Sequence, residues 1–146
     1  MKLASIAIVL LTTLIGSAQA AQDALPTFST PDTSNPAVAA FVVWHSALVK
    51  GDFAAYRDLT PVVPNVTNDL LKQMFAQLRQ TTPKIVKITE PKLNDRGSVG
   101  FHSIGCNGNQ PVVGIIAVRK IDQKWRVGGG WGPSWNPKIS EIVKCP

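Results

Sequence analysis

The sequence predicts an α+β domain. Three observations carry that prediction: apolar residues recur at helical spacing from Pro36 to Arg79, strand-like alternation begins only after Pro83, and the strand segments are separated by short turns rather than helices. Helices first and a meander afterwards point to an antiparallel sheet packed by helices on one side.

Each element follows from its punctuation. Asn35 is a good N-cap, and Pro36 fits the first helical position, where its missing N–H costs nothing. Gly51 suits a left-handed helix end, so the first helix is expected over residues 36–50. Asp52 caps a short second helix, residues 53–59, which Pro61 and Pro64 stop. Thr67 or Asn68 caps a third over residues 69–79, where Leu70, Leu71, Met74, Phe75 and Leu78 share one face. Strands are then expected at 85–93 and 98–106, joined by the turn Asn94 to Gly97, and at 112–120 after Asn107-Gly108-Asn109. The 112–120 strand is apolar on both faces, which suits a central position. A turn at residues 122–124 leads to a last strand, 125–131, in which Gly128 to Gly130 permit a bulge or bend.

Two segments stand outside this domain. Lys2, the apolar run Leu3 to Ile15 and the small-x-small box Ala18-Gln19-Ala20 read as a cleaved signal peptide, residues 1–20, too short in its apolar core for a permanent membrane anchor. Residues 21–34 are rich in Pro, Ser, Thr and Asp and read as a flexible N-terminal arm, which leaves 35–146 as the single folded domain. The expected location is the periplasm or the outside of the cell. Cys106 and Cys145, the two cysteines of the chain, are accordingly expected to form a disulfide stapling the C-terminal tail to the sheet. They lack metal-ligand spacing, and no metal or cofactor is implied.

Fifteen Lys and Arg stand against nine Asp and Glu; without Lys2 the mature domain keeps a formal charge of plus five. The basic residues gather in the strand half, Lys84, Lys87 and Lys92 among them. They are either a solvated sheet face or a field for an anionic partner; nucleic acid does not suit an exported chain.

The pattern Trp44-x-x-Ala47-Leu48-x-x-Gly51-Asp52-Phe53-x-x-Tyr56, with Asp122-Gln123-Lys124-Trp125-Arg126-Val127 closing the chain, resembles the nuclear-transport-factor-2-like superfamily. The resemblance implies a strongly curved antiparallel sheet wrapping the first helix into a cone, whose open end serves as a ligand pocket or partner surface. It also implies possible homodimer pairing through the sheet.

Catalytic members resembling ketosteroid isomerases or scytalone dehydratases use pocket Asp, His or Tyr residues as acid and base, which makes His45, Tyr56 and His102 the residues of interest here. On a helical wheel His45 falls among Val38, Phe41, Leu48 and Val49 and points inward, either as a general base or as a core histidine bonded to a backbone carbonyl. Tyr56 is placed on the same side. His102 lies on the second strand, where alternation leaves its face open. Asp52 is a cap and Asp58 ends a turn, so no acid–base pair is evident and catalysis is disfavoured. Serines lack a Gly-x-Ser-x-Gly setting, and the glycine run at 128–130 leads to Pro133 rather than a phosphate-binding helix.

The expected function is therefore non-catalytic binding, of a small ligand near His45, Tyr56, His102 and Trp131, or of a periplasmic or extracellular protein on the sheet. A second class is inhibition of a cysteine protease: Gln110-Pro111-Val112-Val113-Gly114 is similar to the Gln-x-Val-x-Gly hairpin of cystatins, with Trp135 in a later turn. That reading makes Gln110, Val112, Gly114 and Trp135 the partner contacts. Trp125, Trp131 and Trp135 also offer a possible stacking platform for sugar rings.

Overall fold

A computed structural model describes residues 24–133, 136 and 138–146. Residues 1–20, expected as a signal peptide, and Trp135 lie outside the described residues. The elements are α1 (Pro36–Lys50), α2 (Phe53–Leu59), α3 (Asn68–Thr81), β1 (Val86–Ile88), β2 (Lys92–Leu93), β3 (Ser98–Asn107), β4 (Gln110–Ile121), β5 (Lys124–Pro133) and α4 (Ile139–Ile142). The domain is α+β, with a five-stranded antiparallel sheet ordered β1-β3-β4-β5, β2 also pairing with β3.

The helices start and stop where their caps dictate. Asn35 Oδ1 accepts from Ala37 N at 3.0 Å and Val38 N at 3.4 Å, and Gly51 ends α1 at φ +80°. Asp52 Oδ1 accepts from Ala55 N at 3.0 Å, and Thr67 Oγ1 from Leu70 N at 3.2 Å. The β4–β5 hairpin turns on Asp122 and Gln123, both left-handed, the conformation whose twist matches a two-residue hairpin.

The sequence reading of 85–93 as one strand needs correction. Between Ile88↔Ser103 and Lys92↔Gly100, the three residues Thr89, Glu90 and Pro91 oppose only Phe101 and His102. Pro91 has no N–H to give the ladder, and the extra residue forms a bulge. Thr89 bridges it: its N–H donates to His102 O at 2.9 Å, while His102 N–H donates to Thr89 Oγ1 at 3.0 Å. The glycine run in β5, by contrast, does not interrupt pairing. Gly129 sits at φ +143°, and a Cβ there would lie 2.3 Å from Ile115 O, so only glycine fits this approach.

The sheet separates two cores. On its inner face, α1, α2 and α3 pack Phe41, Trp44, Tyr56 and Phe75 against Phe101, Ile116, Val127 and Trp131. On its outer face a smaller cluster of Ile104, Val113 and Ile139 is flanked by Leu25, Phe28 and Val143. The arm is thus extended but tied down: Ser29 exchanges two 2.8 Å backbone hydrogen bonds with Ile88 along the open edge of β1. β4 is the central strand, yet it is buried on both faces only at Val112 to Gly114; Ile115 and Ala117 are exposed on the outer face. The α4 turn has no counterpart in the sequence reading.

The disulfide forms as expected. Cys106, near the end of β3, bonds Cys145 in the tail, with 5.5 Å between their Cα atoms. Closing a loop of 39 residues stabilises the fold by about 3 to 4 kcal/mol in the loop-entropy model. Among the described residues no helix is long and apolar enough to cross a membrane.

Candidate functional site

Of the residues expected to line a pocket, His45, Tyr56 and Trp131 lie in a packed aromatic core. The rings of Trp44 and Trp131 stack at 5.7 Å, and Phe41 meets Phe101 edge-on at 5.1 Å. His45 stacks on Phe41 at 5.9 Å and its Nε2–H donates to Pro83 O at 2.7 Å. Burial pushes its pKa below the usual histidine value, and the bond to the Pro83 carbonyl opposes this in part. The neutral imidazole is a structural donor that anchors the link between α3 and β1. Tyr56 packs on Phe75 at 4.9 Å, and burial pushes its phenol pKa up against a smaller lowering effect of the Thr60 hydroxyl. Trp131 Nε1–H donates to Ser103 Oγ at 3.3 Å inside this core.

Two residues of the cystatin-like motif are also structural. Val112 is buried on the inner face, and Gly114 lies beneath the Trp131 indole, where a Cβ would stand 2.8 Å from Nε1. The motif therefore runs into the sheet, with Gln110 alone of Gln110, Val112 and Gly114 at the surface. His102 is half-buried on the outer face, opposite Ile115.

The open space is elsewhere. A groove of about 910 Å³ lies at the end of the sheet, where five separate pieces of chain converge. The last turn of α1 contributes Leu48 and Val49, and the last turns of α3 contribute Ala76 and Arg79. Lys84 to Lys87 lead into β1 along one lip, Ile104 to Gly108 close β3 along the floor, and Ile142 to Lys144 with Pro146 form the opposite wall. Cys106 lines it directly, so the disulfide holds that wall in place. A smaller hollow of about 470 Å³ lies between α1, α2 and Trp125. Neither is lined by His45, Tyr56, His102 or Trp131.

The groove is apolar in its walls and cationic at its rim. Ile85 is 81% exposed there, beside Val86 and Val143. Arg79, Lys84, Lys87 and Lys144 line the groove, and among the described residues no Asp or Glu does. Ion pairs among the described residues, Arg57–Asp58 and Lys72–Asp69, lie away from this rim. Arg79 is held in position: its Nε–H donates to Leu48 O at 2.9 Å and its guanidinium lies 5.7 Å from the Phe75 ring centroid.

Sequence reasoning singled out Lys84, Lys87 and the cysteines, but not the space they enclose. Ile139, Ile142 and Val143, at spacings of three and four, carried the signal for the short α4 segment that builds the wall. Comparison with family models, with curated proteins and with solved structures gives no match for this chain.

Proposed function

We propose that this chain is an exported, non-catalytic binding module that holds a small, predominantly apolar molecule in the groove at the end of the sheet. We assign its architecture to the cone of the nuclear-transport-factor-2-like superfamily, which the order of helices and antiparallel strands supports. One observation carries the reading: an apolar-walled groove of about 910 Å³, within the range of small-molecule sites. Binding is favoured over catalysis because the buried His45 is committed to the Pro83 carbonyl, with no carboxylate partner among the described residues. The leader-like segment and the disulfide support export.

Titration with an environment-sensitive apolar dye tests the reading. Wild type should give a saturable fluorescence rise, and Ala76→Trp, which places an indole in the groove from the exposed face of α3, should abolish it with an unchanged unfolding midpoint. Equal dye binding by the two proteins removes the groove as the site.

Ile115 favours a second reading. It is 68% exposed in the central strand, between His102 and Gly130, and so offers the outer sheet face to a second copy of the chain. Sedimentation should then show a dimer that Ile115→Lys dissociates; a monomeric wild type rejects it.

A further inference from the structure

The groove's rim and walls differ in chemistry, and a ligand must satisfy both. Four cationic residues, Arg79, Lys84, Lys87 and Lys144, line a cavity whose walls carry Val, Ile and Leu side chains together with the polar Gln80, Thr82 and Asn107. Arg79 is pre-positioned by its bond to Leu48 O and by the Phe75 ring, so little side-chain freedom is lost when an anion arrives. Lys84 and Lys87 lie on the β1 lip and Lys144 on the tail wall, so positive charge borders the opening on both sides. An apolar molecule without charge would leave this field unused; a small inorganic anion would leave Ile85 and Val143 in water.

We infer that the groove takes a monomeric amphipathic carboxylate, a hydrocarbon body seated against the Ile85, Val86 and Val143 walls with its carboxylate among Arg79, Lys84, Lys87 and Lys144. The inference rests on the groove being a ligand site, as proposed above, and adds the class of ligand. The guanidinium of Arg79, held against Gly51 and over Phe75, adds a fixed positive charge at the helix end of the groove, and the lysines add mobile point charges. The apolar body supplies most of the affinity by leaving water, while the rim selects the sign of the headgroup.

Calorimetric titration below the micellar range, with four probes, separates the possibilities. Dodecanoate should bind at least tenfold more tightly than dodecanol or dodecyltrimethylammonium, and acetate should not bind measurably. Its affinity should fall with added salt, since the rim charges are exposed. The Lys84→Glu, Lys87→Glu double variant should lose at least tenfold for dodecanoate and leave dodecanol unchanged; far-UV circular dichroism checks that the variant is folded. If dodecanol binds as well as dodecanoate, or the cationic amphiphile binds better, the carboxylate assignment falls and the apolar groove survives. Acetate binding as strongly as dodecanoate overturns the amphipathic assignment. If no probe binds, both the ligand class and the groove as a binding site are rejected.

Discussion

The inner face of the sheet and the groove at its end use similar apolar residues to opposite effect. Under the sheet, Phe41, Trp44, Phe101 and Trp131 are each less than 7% exposed, and the polar groups among them are bonded internally, His45 to Pro83 O and Trp131 to Ser103. At the groove, Ile85 remains 81% exposed and, among the described residues, no Asp or Glu lines the space beside the cations. The difference teaches that a histidine on the buried face of a helix marks a site only if space is left beside it. Here three helices fill that space, and the opening appears where the helices end.

The comparison breaks most sharply if the inner core is emptied. Trp131→Ala should cost about 3 to 5 kcal/mol in urea unfolding, because it removes an indole ringed by Phe41, Trp44 and His45. Ligand affinity of the fraction still folded should change less than twofold; a selective loss of binding with little loss of stability would place the site under the sheet after all.

Opening the disulfide tests the other region. Cys106→Ser with Cys145→Ser should lower stability by about 3 to 4 kcal/mol in the loop-entropy model and also release the tail wall of the groove. Dye binding should therefore weaken at least tenfold under conditions where circular dichroism shows a folded domain. Unchanged binding would mean that the wall stands without the staple.

The smallest effect is at His45. Its folded pKa is depressed by burial, so the unfolded chain takes up a proton at a higher pH than the folded one. The His45 contribution is fully present above the unfolded value of about 6.5 and is lost as pH falls through that value toward the lower folded pKa. His45→Phe keeps the ring packing but leaves Pro83 O unsatisfied, costing about 1 to 3 kcal/mol at neutral pH. Denaturant unfolding from pH 7 down to 5 should show a steeper loss in wild type than in the variant. Parallel curves would mean that His45 titrates alike in the folded and unfolded chain, so that burial does not depress its pKa.

Legibility followed the range of the forces involved. Asn35, Gly51, Asp52 and Thr67 act within one helical turn, so the limits of the first two helices and the start of the third were readable within a residue. The break at Thr89 to Pro91 was missed because a bulge is a mismatch between two strands, counted only once β3 is paired. His102 could not be assigned a face by alternation; the register Phe101↔Ile116 and His102↔Ile115 decides it, since Ile116 is buried and Ile115 is not. Gly114, the last residue of the Gln110 to Gly114 run, has a packing role that only the register of β5 reveals: Trp131 stands where its Cβ would be.

By itself, the sequence determined the α+β order, the helix caps, the turns and the pairing of its two cysteines, because these depend on neighbours along the chain or on there being one possible intramolecular partner. Only the tertiary structure decided that His45 is a core donor and that the open space lies among Val49, Arg79, Lys84, Ile104 and Val143. Those five residues span nearly the whole domain. Strand pairing, helix packing and the Cys106–Cys145 bond bring them together, and a cavity is what remains when side chains from distant segments fail to fill the volume between them.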